Sequence, residues 1–341
     1  MSHRVSDLVA LKHRVFLLSG ALSISAWLSW AGFSLWTATP GPSAGLERPR
    51  SAARKPAPSL PEVHTLHEQG TSAYHARLFA GEDRVVLVTQ SGFTTFQAGS
   101  SAEEHALSLG PVAVRHGDAL VFWRSGSLRE VSLSGQHERH LAALPHAPQY
   151  LLASEGRLAW IRSGREMGTS LQTLSGGQVR VVYESAFGIS ASVMRASNVY
   201  SVAVRGDGTW SIGRFDLDGQ HEVWSETHRG RPPATLAVGP DGVYFYDGPQ
   251  RGVRRLTFDL ERETAVASGV VCSPLAVSSR VVCAQVGGLF EIPPAGTAPR
   301  FLASERSGPV TAVAVTSDHA FWVAENGDGR LVVRTVALPG L

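Results

Sequence analysis

Four charged residues recur at one position of a repeated pattern, and a fifth lies close to it. Arg124 closes "LVFWR", Arg162 closes "LAWIR" and Arg205 closes "VAVR", each ending an apolar, strand-like run. Asp247 holds the equivalent place after "VYFY", and Glu325 lies close to it after "FWVA". Guanidinium groups at neighbouring strand ends suit a carboxylate or phosphate, which arginine grips with parallel N–H donors. The same residues also fit a plainer role, as solvated strand-end charges partly paired with the two acids. Arg124, Arg162, Arg205, Asp247 and Glu325 are therefore the candidate ligand-binding set, for an anionic ligand or an unknown protein on one face.

Other chemistry-bearing motifs are incomplete. "RGDGTWSIG" (205–213) carries Asp207, Gly208, Thr209 and Trp210 of a sialidase-type Asp box, but misspaced and without its Ser. It occurs once, and Asp-Gly there reads as a hairpin turn. "DLDGQ" (216–220) and "ENGDGR" (325–330) resemble calcium loops but lack the later bidentate Glu. Histidine pairs occur at His64/His67 and His137/His140. An offset of three on a strand sends two side chains to opposite faces, which suits no shared metal. No Gly-rich phosphate loop leads into a helix and no nucleophile elbow is present. The reading assigns no catalytic residue, no metal and no cofactor. It leaves enzyme status open, leaning against.

Cys272 and Cys283 are the only cysteines, in "VVCSPLAVSSRVVCAQV". An even count in an exported chain favours pairing. A tight turn centred on Ser279 and Arg280 would instead set Ala276 opposite Cys283, and a bridge then needs a looser turn or a bent entry. The pair stands as a candidate disulfide, with two buried free thiols as the alternative.

The elements that must position these residues come as a repeat. From residue 83 an apolar motif appears seven times: "DRVVLV" (83), "DALVFW" (118), "GRLAWI" (156), "SNVYSVAV" (197), "DGVYFY" (241), "SRVVCAQ" (279) and "DHAFWV" (318). The copies lie 35 to 44 residues apart. A period near 40 built from strand residues is the signature of propeller blades. One unit reads "TLAV", turn "GPDG", "VYFYD", turn "GPQRG", "VRRLTFDL", turn "ER", "ETAVAS", which is four short strands. A single blade cannot bury both faces, but blades stacked in a ring cover one another. The last unit supplies only three strands, and "PEVHTLHEQGTSAYHARLFA" resembles "APRFLASERSGPVTAVAV", where one blade ends and the next begins. Residues 62–68 are therefore expected to complete the last blade. The fold expectation is an all-β, seven-bladed β-propeller of four-stranded antiparallel blades over residues 62–341.

"LAVGPDGVYFYD", "VAVRHGDALVFWR" and "VAVTSDHAFWVAE" resemble blades of the TolB-like, YVTN and related bacterial propeller families. The resemblance covers about residues 62–341. It implies the fold and an extracytoplasmic binding or scaffold role. The Gly-His and Trp-Asp signatures of WD40 repeats are absent.

The N-terminal arm differs from this body. Residues 15–36, "VFLLSGALSISAWLSWAGFSLW", hold no charge over 22 positions, enough for a membrane-spanning helix, with Trp27, Trp30 and Trp36 near one end. The expected organisation is a short basic segment (1–14), a transmembrane signal anchor (15–36), a Pro-, Ala- and Arg-rich linker (37–61) and the propeller. Lys12 and Arg14 abut the span and favour the N-terminus inside. The body is then placed on the periplasmic side of a bacterial inner membrane, as a single-pass protein. Secretion after signal cleavage is the alternative. Residues 1–61 carry a net charge of +5 and the remainder −3, so the body lacks the basic excess of a nucleic-acid binder. The functional expectation is a membrane-tethered binding or scaffold propeller. The alternative is a propeller lyase or hydrolase acting on an anionic glycan or peptide in the central channel.

Overall fold

The computed structural model describes residues 61–69, 76–81, 84–97, 102–164, 168–219, 221–293 and 298–339. The expected membrane span and linker lie outside these residues. The described residues form seven antiparallel sheets in chain order, a seven-bladed propeller. Blade 1 comprises Arg77–Ala80, Arg84–Val88, Gly92–Gln97 and Glu103–Ala106. Blade 2 comprises Ala113–His116, Ala119–Arg124, Ser127–Ser132 and Arg139–Ala143. Blade 3 comprises Tyr150–Ser154, Arg157–Gly164, Gly168–Ser175 and Gln178–Ser185. Blade 4 comprises Gly188–Arg195, Asn198–Val204, Thr209–Asp216 and a split outer strand, Glu222–Trp224 and His228–Arg229. Blade 5 comprises Leu236–Val238, Val243–Tyr246, Val253–Leu256 and Glu263–Ala267, with one turn of helix, Gly248–Arg251, between its second and third strands. Blade 6 comprises Leu275–Val277, Val281–Gln285, Gly288–Ile292 and Arg300–Ser304. Blade 7 comprises Val310–Val315, His319–Glu325 and Leu331–Ala337, and its outermost strand is Val63–Gln69, antiparallel to 331–337.

The strand composition explains this ring. The second strand of each blade is apolar along its length, because alternate residues face the two neighbouring blades. In blade 3, Trp160 packs toward blade 2 while Ala159 and Ile161 pack toward blade 4. In blade 7, Trp322 faces blade 6 and Val323 faces blade 1. The buried apolar residues accordingly fall into seven clusters, one at each seam between blades. Trp160 and Trp322 are fully buried, and truncating either to Ala should cost about 3–5 kcal/mol.

The blade 6 hairpin departs from the tight turn read from its sequence. Val277 pairs with Val281, so three residues, 278–280, form the loop, closed by Ser278 N–H donating to Arg280 O at 2.9 Å. The extra loop residue shifts the register, and Leu275, not Ala276, lies opposite Cys283. The chain enters the first strand irregularly, with Ser273 N–H donating to Ala284 O and Ala284 N–H to Pro274 O. Cys272 thereby reaches Cys283 with their Cα atoms 5.3 Å apart, and the two are joined as a disulfide.

Candidate functional site

Successive strands in a blade run in opposite directions, so the ring has two chemically distinct ends. One end, here called lower, carries the turns between first and second strands. The other, upper, carries the turns between second and third strands and the connections between blades. The first strand of every blade lines the axis.

At the lower end the axis widens into a cavity of about 1150 Å³. Blades 1, 2, 3, 6 and 7 wall it, through residues 78–81, 114–118, 153–155, 275–278 and 313–317, with Arg84. Apolar side chains of the strands alternate with Arg84, Arg115, His116, Asp118, Glu155 and the hydroxyls of Ser154, Ser278, Thr316 and Ser317. Both charge signs are present. Arg115 is fixed by its own hydrogen bonds, Nε donating to Gly117 O at 3.0 Å and Nη1 to Arg84 O at 3.1 Å. Its guanidinium lies over Gly81, where a Cβ would come within 1.8 Å of Nη1, so only glycine leaves it that position. His116 is oriented by Glu130, with Nδ1 3.1 Å from Oε1, and Arg139 holds the other oxygen. Burial pushes the Glu130 carboxyl up, but hydrogen bonds from Arg139 and His116 outweigh it and hold it below the usual carboxylate range. His116 Nε2 is buried and has no hydrogen-bond partner among the described residues.

At the upper end, side chains tie the first strands across the seams. Arg77 Nη1 donates to Ala113 O at 3.3 Å, Tyr150 Oη to Ser190 O at 2.6 Å and Ser190 Oγ to Pro233 O at 2.9 Å. Arg77 is solvent-accessible yet surrounded by protein, and this burial lowers its pKa. Burial raises that of Tyr150, against the hydrogen bond of Gln149 and the charge of Arg77.

The five residues singled out from the sequence all lie at the upper end, away from the cavity. Arg124 is paired with Glu138, which also takes Arg129 at 2.7 Å, and donates to Ser108 O at 3.3 Å. Arg162 is partly exposed within its paired strand, and its side chain makes no hydrogen bond or ion pair with another described residue. Arg205 sits 5.3 Å over the Phe187 ring and 6.0 Å over Trp224, with Nη1 buried and unbonded. Asp247 is buried beside Arg251 at 2.7 Å, and burial pushes its carboxyl up against the pull of Arg251 and His228. Glu325 is partly buried at the end of its strand. No hydrogen bond or ion pair joins any two of the five, and each belongs to its own blade.

Two clusters carried no sequence signal. His228 stacks on Trp210 with centroids 4.2 Å apart, and lies 3.4 Å from Glu263 and 3.3 Å from Arg251. Arg251 and Arg254 both reach Glu263, so this network closes the upper seam between blades 4 and 5. Glu305 is 3% exposed and accepts from Trp322 and Arg334 between blade 6 and blade 7. Only the fold brings these distant residues together. Among the described residues no three His, Cys, Asp or Glu side chains are grouped to hold a metal, and no helix is long and apolar enough to cross a membrane.

No protein-family model matches the chain, and no curated protein matches it. Solved structures do. The computationally designed Ika8 protein aligns with a TM-score of 0.53 at 15% identity, over 80% of this chain and 99% of its own. The AfRom2 CNH domain aligns with a TM-score of 0.52 at 8% identity, over 82% of this chain and 100% of its own. PorZ of Porphyromonas gingivalis, a bacterial surface component of the type-IX secretion system, aligns with a TM-score of 0.54 at 13% identity, over 82% of this chain but 39% of its own. At such identities the likeness is one of fold, and the fold that this chain shares with them is the β-propeller.

Proposed function

We propose that the protein is an extracytoplasmic binding or scaffold propeller of the TolB-like or YVTN kind, tethered to a bacterial inner membrane through residues 15–36. Its ligand seat is the lower cavity. The observation that carries this reading is a space of about 1150 Å³ walled by five blades, lined by apolar strand edges and a few oriented polar groups. Ligand sites have that make-up. Its size suits a peptide segment or a small-molecule ligand. Two further features support export. Residues 15–36 are uncharged, and the Cys272–Cys283 disulfide belongs to oxidising compartments.

The test is capture of partners from an extract with the body, residues 62–341, set beside two variants. In one, Asp118 and Glu155 are both changed to Lys. In the other, Arg124, Arg162 and Arg205 are all changed to Ala. Loss of capture by the first variant alone supports the lower cavity. Loss by the second alone moves the site to the upper face and to an anionic ligand, and capture unaffected by either removes both. Protease protection of the body in intact cells, lost when the outer membrane is opened, tests the location.

A further inference from the structure

The outer strand of blade 3, Gln178–Ser185, is the longest outer strand of the ring at eight residues, and its first four residues are all exposed. It pairs with Gly168–Ser175 on one side and, among the described residues, with no strand on the other. Sheet edges of this kind are normally guarded by Lys, Pro or very short strands. This segment, "QVRV", holds neither Lys nor Pro; its guards are one charge, Arg180, and the bulge at Val182, and Val179 and Val181 stand 42% and 43% exposed between and beside them.

The register says which backbone groups face outward. Gly176 and Gly177, both at positive φ, make a two-residue turn closed by Ser175 opposite Gln178. The closing pair of such a turn exchanges both backbone hydrogen bonds, and pairs then alternate. Arg180, opposite Thr173, is thus bonded inward, while Val179 and Val181, opposite Leu174 and Gln172, turn their N–H and C=O groups to the free edge. The bulge at Val182 ends this regular stretch. The valine side chains lie on the face toward blade 2, beside Leu174. Arg180 lies on the opposite face, where its Nη2 donates to Leu217 O of blade 4.

We propose that this edge receives an extended peptide segment of a partner protein as a fifth strand of blade 3. Cross-strand neighbours share a face, so the chemistry of the recipient strand defines the guest. Apolar residues belong opposite Val179 and Val181, and an Asp or Glu belongs between them, opposite Arg180. The motif is apolar–acidic–apolar in β conformation. The guest's backbone supplies affinity and its alternate side chains supply selection.

The test uses the full-length chain and an acetylated, amidated peptide, Gly-Thr-Val-Glu-Val-Thr-Gly, with binding read by fluorescence anisotropy. Exchanging the peptide Glu for Lys should weaken binding about fivefold, the upper range of one cross-strand charge pair. Arg180→Glu should reverse that preference. Val181→Lys, at an exposed position, should abolish binding. N-methylating the peptide at one alternate set of residues should abolish binding to the unaltered protein, while the other set is tolerated, because only one set of N–H groups faces the sheet. Equal tolerance of both sets, equal loss by both, no measurable binding of the parent peptide, or a preference for Lys over Glu would each overturn the proposal. The N-methyl comparison needs no protein variant and so does not depend on a substitution folding.

Discussion

Glu305→Ala should destabilise the propeller by about 4 kcal/mol, and the structure shows why. The Glu305 carboxylate is almost fully buried in the connection from blade 6 to blade 7. It accepts from Trp322 Nε1 at 2.7 Å and from the Ser307 N–H at 2.8 Å, and Arg334 Nη1 lies 2.9 Å from both of its oxygens. Removing it strands a guanidinium that is about one-fifth exposed, and an indole N–H that is fully buried. Breaking one side of a buried ion pair costs about 3–5 kcal/mol. An unsatisfied buried donor costs about 1–3 kcal/mol, and the two overlap because both groups lean on the same carboxylate. The sum is a large part of a total stability of about 5–15 kcal/mol.

The assay is urea unfolding at pH 7, with Glu305→Ala, Arg334→Met and the double variant forming a cycle. A coupling energy above about 1 kcal/mol is expected, and the double variant should be less damaged than the sum of the singles. The pH dependence supplies a second check. Burial pushes the Glu305 carboxyl up, but the hydrogen bonds from Trp322 and Ser307 and the charge of Arg334 bring it below its ordinary value. A carboxyl depressed in the folded state contributes stability above its unfolded pKa, and that contribution is lost as pH falls through the folded value. The gap between wild type and Glu305→Ala should therefore narrow in acid. A loss below about 1 kcal/mol at neutral pH, or a gap that widens in acid, would refute the assignment.

Three other outcomes follow from named contacts. Thiol titration of the denatured, unreduced protein should find no free thiol. Reducing Cys272–Cys283, which lie 11 residues apart, should cost at most about 3 kcal/mol in thermal unfolding. Two reactive thiols would remove the disulfide and with it one support for export. A chain beginning at residue 72 loses Val63–Gln69 and leaves the edge of 331–337 open. It should form high-mass species in light scattering, and a monodisperse, cooperatively melting product would contradict the role given to that strand. Tyr244 should ionise last among the described tyrosines in an ultraviolet pH titration, since burial and its hydrogen bond to Asp241 push it up to about 12. Because this group is raised in the folded state, its contribution is intact below pH 10 and is lost between about pH 10 and 12. Asp241→Asn should bring the transition down, though burial keeps it above that of an exposed tyrosine.

The blades were legible because each second strand must be apolar on both faces, and that double burial leaves a continuous run in the sequence. "LAWI" and "AFWV" are such runs, and Trp160 and Trp322 each fill the seam toward the preceding blade. Turn detail was less legible. Whether Ser278 belongs to a strand or to a loop is decided by its contacts, including Ser278 Oγ donating to Thr316 O of blade 7, and not by its own preference. Blade 4 makes the same point. Its outer strand breaks at Ser225, whose hydroxyl accepts from the Ile212 N–H while its own N–H donates to Ile212 O. A serine in a polar stretch gives no sign of replacing a strand there. The cavity was not legible at all, because Asp118, Glu155, Ser278 and Ser317 are ordinary turn residues when read singly. What unites them is that all follow a first strand, and that position acquires meaning only when the ring closes.

The direction of the strands also bears on the ligand. The upper half of a second strand stands above the start of a first strand, so Arg124 at its strand end, Arg162 two residues before the end of Arg157–Gly164 and Arg205 just past Asn198–Val204 belong with Arg77 and Tyr150 at the upper end. There, side-chain hydrogen bonds already link blades 1 to 2, 3 to 4 and 4 to 5. Arg124 shares Glu138 with Arg129, and Arg205 lies over the rings of Phe187 and Trp224. These two have structural partners without a ligand, whereas the Arg162 side chain has none among the described residues. The lower end carries oriented polar groups around open space, and Arg115 is held there by backbone carbonyls and a glycine that makes room for it. Polar groups arranged around a void are harder to explain by folding alone than polar groups arranged around one another. On that ground the lower cavity is the stronger seat. A ligand sensitive to substitutions at both ends would have to run the length of the axis.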